Sequence, residues 1–468
     1  MKNVAIIDDT RSILFSELSE IVCKTAQYYF ENGILPKSNV AIIGNNSIEY
    51  VITIYALWKL AAIPVPINTR LKESEINSIF KSSQCSNIIV DKLFANCLPN
   101  FPSIEMAYKN DGVAYKINNN TNDNDTAVII HTSGSSDVPK GVVTTNDNLY
   151  QSFLVLSQTF NFSNDDVFLA SLPFYHIGGF SIISRALLSG GVLVIPKSLK
   201  QNDIVHSMKV HNASVVSLVP TMLKRFMDAE IKPNKNLRCL FLGGGASSND
   251  LIYSALNNNW AIVKVYGSSE TTAMVTACWG AELKKTPNSA GKPFSGITIK
   301  ILNNFFNEVE SGSVGEIAVK SKTIAKGYLN LTELWNKKKH NEFYLTGDYG
   351  YLDKDGKLFV VARRTDLIVS GGENIDPREI ESILNTHPKI IETFVFPIED
   401  CEWGEIPVAI IVPTKAKCLS NENVIDFLKP KIASYKLPRK IIFTNKIPRT
   451  ELGKINISEV KELFRATK

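Results

Sequence analysis

Short runs of valine, isoleucine and leucine alternate with longer segments of helical pattern through the first two-thirds of the chain. The helical pattern is clearest over Leu18–Phe30 and Glu49–Leu60. Apolar strands separated by helices of about ten or more residues are typical of βαβ units, so the pattern predicts a buried, largely parallel sheet with helices on both faces. The predicted strands are Val40–Ile43, Ile63–Ile67, Val167–Leu169, Val192–Ile195, Val215–Leu218, Leu237–Leu242 and Ala261–Val265.

The pattern changes after about Asn288. Short strands flank a DKDG turn at Asp353–Gly356, which predicts a small antiparallel subdomain over about 289–364 within a large domain of residues 1–364. The remaining residues, 365–468, mix strands with helices and predict a small, mobile α+β domain. The strands predicted after Asn288 are Thr298–Leu302, Val314–Val319, Tyr349–Val361, Glu392–Pro397, Val408–Val412 and Ile441–Thr444, and the helices are Pro377–Asn385 and Asn421–Ile432.

Composition fits a soluble globular protein of more than one domain. The chain has 468 residues, 44% of them hydrophobic, and a net charge of +5 whose positive and negative residues are interspersed, which argues against a nucleic-acid partner. Tyr50–Ile67 is the most apolar stretch, but Lys59, Pro64 and Pro66 interrupt it, so no membrane span is expected. Seven scattered cysteines without a C-x-x-C pair suggest neither zinc nor disulfides and favour the cytoplasm.

The segment His131–Gly141, HTSGSSDVPKG, follows an apolar strand-like run at Ala127–Ile130. Its glycine and hydroxyl residues allow backbone N–H groups and hydroxyls to converge on phosphate oxygens, and Lys140 adds a positive charge. A surface loop explains the same composition about equally well. The segment is not a P-loop, since proline precedes Lys140 and glycine follows it.

Six further segments, in order along the chain, resemble the adenylate-forming superfamily of acyl- and aryl-CoA ligases, luciferases and carrier-loading adenylation domains. The resemblance extends from about Asn45 to Lys454, and its phosphate loop is close to YTSGTTGxPKG, with Asp137 where the family has glycine. The six segments are LPFYHIGGF at Leu172–Phe180, LFLGGGA at Leu240–Ala246, YGSSETT at Tyr266–Thr272, YLTGD at Tyr344–Asp348, ARRTDLIVSGGENIDPREIE at Ala362–Glu381 and IPRTELGKI at Ile447–Ile455.

The resemblance implies an enzyme that joins a carboxylate to the α-phosphate of ATP and expels pyrophosphate, with Mg²⁺ as cofactor. Glu270 is the implied metal ligand and Lys454 the residue that bridges the carboxylate and the α-phosphate; with Thr132 they are the implied catalytic residues. Because a carboxylate about 6 Å from a phosphate charge costs roughly 3 kcal/mol per charge pair, we expect Asp137 to point outward. The implied ATP- and AMP-binding residues are Thr132, Ser133, Gly134, Ser135, Ser136, Lys140, Gly244, Tyr266, Gly267, Ser269, Asp348 and Arg363.

Several of these residues also have a purely structural explanation. Ser268–Glu270 also suits a capped helix start, and Asp348 and Arg363 suit an ordinary turn and an exposed surface. The triple glycine Gly243–Gly245 suggests a dinucleotide fold, but that motif requires glycine where Ser248 stands. Close approach of the backbone to adenine and to the acid is the better account.

The second half-reaction would transfer the acyl group to CoA. In the family the small domain rotates about a hinge, here Thr365, where Asp or Lys is usual. Rotation replaces the lysine by a glycine-rich strand, here Gly371 and Gly372, that lets the thiol arm pass. His176 and Gly243 would line the acid and CoA pocket.

Three segments are similar to o-succinylbenzoate–CoA ligases of menaquinone biosynthesis: LPFYHIGGFSIISRALLSGG, ASVVSLVPTML and DLIVSGGENIDP. This resemblance implies that acid as substrate, with ATP and CoA as co-substrates. Arg185 would then recognise the aromatic carboxylate that is not activated; a surface helix arginine is about as good an account. Another aryl- or fatty-acid–CoA ligase, a stand-alone carrier-loading adenylation domain and a non-catalytic ATP-binding relic are the alternatives. A homodimer is left open.

Overall fold

The computed structural model describes most of the chain. The described residues are 3–71, 73–95, 101–115, 122–132, 140–245, 247–363, 368–370, 373–375, 377–400, 403–415, 419–432, 434–450 and 455–466.

Helices of the described chain begin at positions that the sequence marks. Thr145 caps one of them, accepting from the backbone N–H of Asn148 at 3.1 Å, and Pro220 opens another at its first turn. The helices are α1 (Phe15–Glu31), α2 (Ile48–Lys59), α3 (Glu73–Ser82), α4 (Lys92–Ala95), α5 (Asn146–Phe160), α6 (Ile177–Ser189), α7 (Gln201–Val210), α8 (Pro220–Asp228), α9 (Asn249–Asn257), α10 (Gly280–Lys285), α11 (Thr332–Asn336), α12 (Pro377–Leu384), α13 (Asn421–Leu428) and α14 (Ile457–Ala466).

Strands follow the apolar runs of the sequence. In the first half of the chain they are β1 (Val4–Ile7), β2 (Ser12–Leu14), β3 (Asn39–Ile43), β4 (Ile63–Pro66), β5 (Cys85–Val90), β6 (Ser103–Glu105), β7 (Thr126–Thr132), β8 (Lys140–Thr145), β9 (Val167–Leu169), β10 (Val192–Val194) and β11 (Val215–Leu218). The second half has β12 (Cys239–Leu242), β13 (Ile262–Ser268), β14 (Ala273–Trp279), β15 (Lys292–Pro293), β16 (Thr298–Leu302), β17 (Gly315–Lys320), β18 (Gly327–Tyr328), β19 (Lys339–His340), β20 (Phe343–Leu352), β21 (Leu358–Arg363), β22 (Ile368–Ser370), β23 (Glu373–Ile375), β24 (Ile390–Asp400), β25 (Gly404–Pro413) and β26 (Lys440–Phe443).

The main sheet has nine strands in the order β15-β14-β13-β12-β11-β9-β10-β1-β2. The six strands from β13 to β1 are parallel to one another. At the two edges the pairs β13–β14, β14–β15 and β1–β2 are antiparallel. Leu240 and Leu242 of β12 pack with Phe226 and Trp260 in the core under one face. The expected fold class, α/β with mostly parallel sheets flanked by helices, is confirmed.

Smaller sheets complete the architecture. A parallel sheet has the order β4-β3-β5-β6, and a three-stranded antiparallel sheet, β18-β8-β7, was not predicted. A five-stranded sheet orders its strands β16-β17-β20-β19, with β21 beside β20. The predicted DKDG turn is present between β20 and β21, because the Gly356 N–H donates to the Asp353 carbonyl at 2.9 Å and Gly356 has φ +75°.

The C-terminal part is α+β, as predicted. Its five-stranded sheet has the order β23-β22-β25-β24, with β26 parallel to β25. Ile380 and Leu384 of α12 pack with Val395 and Ile411 of the sheet.

By residue proximity the chain forms two compact units. The first contains residues 1–300, 318–345 and 352–359, and the second contains 301–317, 346–351 and 360–468. The predicted boundary between residues 364 and 365 lies outside the described residues and stays a prediction. None of the described helices has both the length and the apolar character needed to cross a bilayer.

Asp166, which precedes β9, and Arg238, which precedes β12, form a hydrogen-bonded ion pair. Arg238 donates to both Asp166 carboxylate oxygens, from Nε at 2.7 Å and from Nη2 at 2.6 Å, and its Nη1 donates to the Phe160 carbonyl at 2.6 Å. Ser214 Oγ donates to the same carboxylate at 2.8 Å, and the Ser163 N–H at 3.0 Å. Burial alone raises the pKa of Asp166, but the hydrogen bonds from Arg238, Ser163 and Ser214 outweigh it and hold the pKa below its ordinary value.

Replacing Asp166 by asparagine is expected to lower the free energy of unfolding by about 2–4 kcal/mol at pH 7, since the substitution strands a partly buried guanidinium. The folded-state pKa of Asp166 lies below the unfolded one, so its stabilisation is full above about pH 4 and is lost as pH falls through the folded pKa. The difference in free energy of unfolding between wild type and Asp166→Asn should therefore become smaller at acidic pH. Urea unfolding from pH 7 to pH 3 measures it, with exposed Asp165→Asn as control. A gap that does not change with pH would contradict the role of the carboxylate charge.

Candidate active site

The phosphate-loop segment is bounded by the β7–β8 hairpin. Thr132, the last residue of β7, is paired with Lys140, the first residue of β8, and the Thr132 hydroxyl lies 3.5 Å from the Lys140 carbonyl. The fold thus brings the two ends of the predicted loop together. Ser133, Gly134, Ser135, Ser136 and Asp137 lie outside the described residues, so their predicted roles stay predictions.

The segment Tyr266–Thr272 comprises the end of β13 and the turn that connects it to β14. The alternative of a capped helix start is therefore wrong for this segment. Thr272 and Ala273 have φ of +49° and +83°, which is strained for residues with a Cβ. Such strain persists only where the surroundings hold it and concentrates at functional sites. Here the Ser152 hydroxyl donates to the Thr272 carbonyl at 2.8 Å, and the Ser268 N–H donates to Thr271 Oγ1 at 2.8 Å.

Two glycines of the predicted nucleotide site are required by the backbone itself. A Cβ on Gly267 would lie 1.5 Å from the Ala273 carbonyl oxygen, so only glycine permits this hairpin. Gly244 has φ +76° just beyond β12. A Cβ on Gly243 would meet Val265 Cγ2 at 2.8 Å, so the backbone just after β12 approaches β13 closely. Ser269 lies in the turn itself, where its carbonyl accepts from the Thr272 N–H at 3.1 Å.

Glu270 and Lys140, distant in sequence, meet at the side chain of Tyr328. The Tyr328 hydroxyl donates to Glu270 Oε1 at 2.8 Å, and Lys140 Nζ lies 5.7 Å from the centre of the Tyr328 ring. Tyr328 was missed by the sequence analysis, because one tyrosine in a short strand has no distinguishing pattern. The fold thus places the predicted metal ligand and the predicted phosphate-binding lysine in one polar neighbourhood.

The loop between β9 and α6, which contains LPFYH, is held by Asn46. The Asn46 amide donates to the carbonyls of Ala170 and Leu172 at 3.3 and 2.8 Å, and its Oδ1 accepts from the Phe174 N–H at 3.0 Å. His176 follows as the N-terminal cap residue of α6. The carboxyl ends of parallel strands are where open α/β sheets bind ligands, and this loop leaves β9 at that end.

Arg185 lies in the middle of α6 and is buried, with 2% of its surface exposed, so the alternative of a surface arginine is wrong. Its guanidinium carbon lies 5.5 Å from the Phe241 ring centre, and Nη1 lies 4.0 Å from Met274 Sδ. Nε has no hydrogen-bond partner among the described residues.

Burial lowers the pKa of Arg185 to about 10, with the nearby Cys239 thiol opposing the shift, so the side chain remains cationic at neutral pH. No ion pair joins it to a carboxylate of the described chain. Burying a charge without a counter-ion is costly, and such sites attract an anion. Arg185 therefore lies against Phe241 of β12, two residues before the predicted acid-pocket residue Gly243.

The remaining predicted residues lie in or next to the second unit. Asp348 is in β20, where its N–H donates to Thr346 Oγ1 at 3.1 Å, and the preceding Gly347 donates to Glu316 Oε1 at 3.1 Å with φ +78°. Arg363 ends β21, but its side chain is not described. The predictions for Thr365, Gly371, Gly372 and Lys454 fall outside the described residues.

Comparison with known proteins identifies the class to which this fold and site belong. Residues 1–329 match the model of the AMP-binding enzyme family, and residues 379–454 match that of the AMP-binding enzyme C-terminal domain. The protein belongs to the AMP-binding enzyme family.

Particular relatives are similar over nearly the whole chain. A 2-succinylbenzoate–CoA ligase of Bacillus cereus is 31% identical over 98% of this chain and 95% of its own. The structure of o-succinylbenzoate CoA synthetase from Bacillus subtilis with the acyl-adenylate intermediate OSB-AMP has a TM-score of 0.88 and 29% identity, covering 98% of this chain and 95% of that one. The same enzyme with ATP and a magnesium ion gives a TM-score of 0.88 and 29% identity over 98% and 96% of the chains.

Proposed function

We propose that this protein is an o-succinylbenzoate–CoA ligase: it activates the acid with ATP as an acyl-adenylate and then transfers the acyl group to CoA. The similar enzymes from two Bacillus species support that substrate. The observation within this chain that carries the proposal is buried Arg185, a cation without a carboxylate partner in the described residues. The substrate has two carboxylates, so one can neutralise Arg185 while the other reacts.

In the first step an oxygen of the succinyl carboxylate attacks the α-phosphorus of ATP, a P–O bond to the acyl group forms, and the bond to pyrophosphate breaks. Thr132 and Lys140 with the serine-rich loop would hold the β- and γ-phosphates, while Tyr266 and Gly244 would contact the adenosine. Attack of one anion on another makes charge neutralisation and positioning the main sources of rate.

Glu270 fits the magnesium ion that this chemistry uses. Its side chain is partly exposed, Oε1 is fixed by Tyr328, and Oε2 has no hydrogen-bond partner in the described structure. Magnesium favours one or two carboxylates together with phosphate oxygens, so one glutamate suffices. Bound there, the ion would offset the charge of the triphosphate.

In the second step the CoA thiolate would attack the acyl carbonyl carbon and AMP would leave. We propose that residues 365–468 supply Lys454 to the first step and Gly371 and Gly372 to the second, by rotation about Thr365. In that scheme Asp348 accepts hydrogen bonds from the ribose, Arg363 supports the nucleotide, and His176 lines the acid and thiol pocket.

Pyrophosphate release over a panel of acids tests the proposal. We expect o-succinylbenzoate to give the highest kcat/KM, by at least about 100-fold over a saturated fatty acid, since only it places a carboxylate at Arg185. Free CoA should discharge the adenylate. A higher kcat/KM with another acid would assign that acid as the substrate. Discharge of the adenylate only by a phosphopantetheinyl carrier would favour a carrier-loading adenylation domain. No release with any acid would favour a non-catalytic relic.

We further propose a cytoplasmic location and a homodimer. Cys85, Cys239 and Cys278 are buried free thiols, which suits a reducing compartment. Light scattering of the purified chain measures its mass, and a single 51.9 kDa species would contradict the dimer.

A further inference from the structure

Residues 321–330 form hydrogen bonds to both the main chain and the side chain of Glu270. The Ala325 N–H donates to the Glu270 main-chain carbonyl at 2.8 Å, and three residues later the Tyr328 hydroxyl donates to the Glu270 carboxylate at 2.8 Å. β18, which contains Tyr328, is itself paired to β8, with Tyr328 opposite Val142. One short segment therefore holds the backbone and the side chain of the glutamate to the strand that begins with Lys140.

The ring of Tyr328 has little freedom to move. Tyr328 is 6% exposed, and Trp335 of α11 lies edge-on to it, with centroids 5.0 Å apart and planes at 83°. Tyr344 stacks on the same Trp335 at 5.2 Å and 22°. Because packing already fixes the ring, ordering its hydroxyl toward Glu270 costs little further entropy.

The same ring also faces the phosphate loop. Lys140 Nζ lies 5.7 Å from the ring centre, at the distance of a cation–π contact. The Tyr328 hydroxyl itself points to Glu270 Oε1, and an O–H group beside an ionised carboxylate can only donate to it.

We infer that Tyr328 is a positioning residue for the adenylation step, its hydroxyl orienting the Glu270 carboxylate toward metal and phosphate and its ring supporting Lys140. The inference rests on the proposed function of Glu270. A purely structural tyrosine would act through its ring, which fills the space between β18 and α11. The hydrogen bonds of the hydroxyl, to Glu270 and with the Tyr344 side chain, are separate from that packing. The contribution of the hydroxyl can therefore be separated from that of the ring, and combination with a Glu270 variant separates the two bonds.

Tyr328→Phe separates them, because it keeps the ring and removes the hydroxyl. Removing a partner that orients a metal ligand typically costs 10–100-fold in metal affinity or activity. We expect kcat for pyrophosphate release to fall about 10–100-fold and KM for the acid to stay within about twofold. Calorimetry with α,β-methylene-ATP, with and without Mg²⁺, gives a readout independent of turnover: the gain in affinity that Mg²⁺ confers on wild type should shrink at least about fivefold in the variant.

Tyr115→Phe is the matched control, since Tyr115 is also buried and its hydroxyl has no hydrogen-bond partner in the described chain. It should leave both measurements unchanged. Unchanged kcat and an unchanged Mg²⁺-dependent gain in Tyr328→Phe would overturn the inference, as would a loss fully explained by a lower melting temperature.

Glu270→Gln separates this inference from the proposed function. If wild type shows the Mg²⁺-dependent gain and Glu270→Gln loses it, combining it with Tyr328→Phe should add little, because the hydroxyl acts through the glutamate. Additive losses would overturn the positioning role alone. A gain that Glu270→Gln leaves intact would instead refute Glu270 as the metal ligand, and the inference with it. Absence of turnover with every acid would refute the proposed reaction and leave the calorimetric comparison decisive for Tyr328.

Discussion

Lys454→Ala is expected to slow pyrophosphate release at least about 100-fold while sparing thioester formation from supplied acyl-adenylate. The lysine ammonium would stabilise charge on the attacking carboxylate and the α-phosphate, and removing one such group costs about 10²–10³ in kcat. In the proposed scheme the lysine leaves the site before CoA reacts, so the second half-reaction does not use it. Pyrophosphate release and CoA-dependent AMP release, measured separately, test both expectations.

Lys461→Ala is the control for this experiment, because Lys461 is an exposed lysine of α14 in the same terminal segment. It should leave both half-reactions within about twofold. Equal losses of both half-reactions in Lys454→Ala would contradict a role confined to adenylation.

Strands of the main sheet were predictable because their sequence and their burial agree. Val167–Leu169 and Val215–Leu218 have the predicted bounds, and nearly all of their residues are buried. Leu237–Leu242 begins two residues later than predicted, at Cys239, because Leu237 lies before the first ladder pair with β11. Apolar runs thus indicate buried strands well and their ends less well.

Long-range pairings of the candidate site were not predictable. β18 is only Gly327–Tyr328, and it pairs with Val142 and Val143 far earlier in the chain. A two-residue strand has no periodicity of its own. The contact between Tyr328 and Glu270 therefore required the fold.

Arg185 could have been placed better from the sequence. Arg185 is the only charged residue in IGGFSIISRALLS, whose other residues are apolar or small, and a helix without a charged face is typical of a buried one. That pattern argues against a surface arginine. By contrast, Ser268–Glu270 resembled a helix cap because local hydroxyl and acidic residues suit one, and only the pairing of β13 with β14 shows the hairpin.

Arg185→Met is expected to lower kcat/KM for o-succinylbenzoate by about 100- to 1,000-fold, because the substitution removes the counter-ion of the aromatic carboxylate. Truncating one partner of a buried charge pair typically costs 2–5 kcal/mol, which is the same range. The free enzyme should be no less stable, since methionine removes an unpaired buried charge at similar volume. Urea unfolding and steady-state kinetics measure the two effects.

A substrate without the aromatic carboxylate shows whether the loss comes from that charge. With 4-oxo-4-phenylbutanoate, Arg185→Met should equal or exceed wild type, because the wild-type cation would then face an apolar ring at its own desolvation cost. Arg225→Met, at an exposed arginine of α8, should change neither substrate. Equal losses on both acids would mean that Arg185 shapes the pocket without recognising the carboxylate. An opposite response of the two acids requires direct pairing of the guanidinium with the aromatic carboxylate, because a change in pocket shape alone would weaken both.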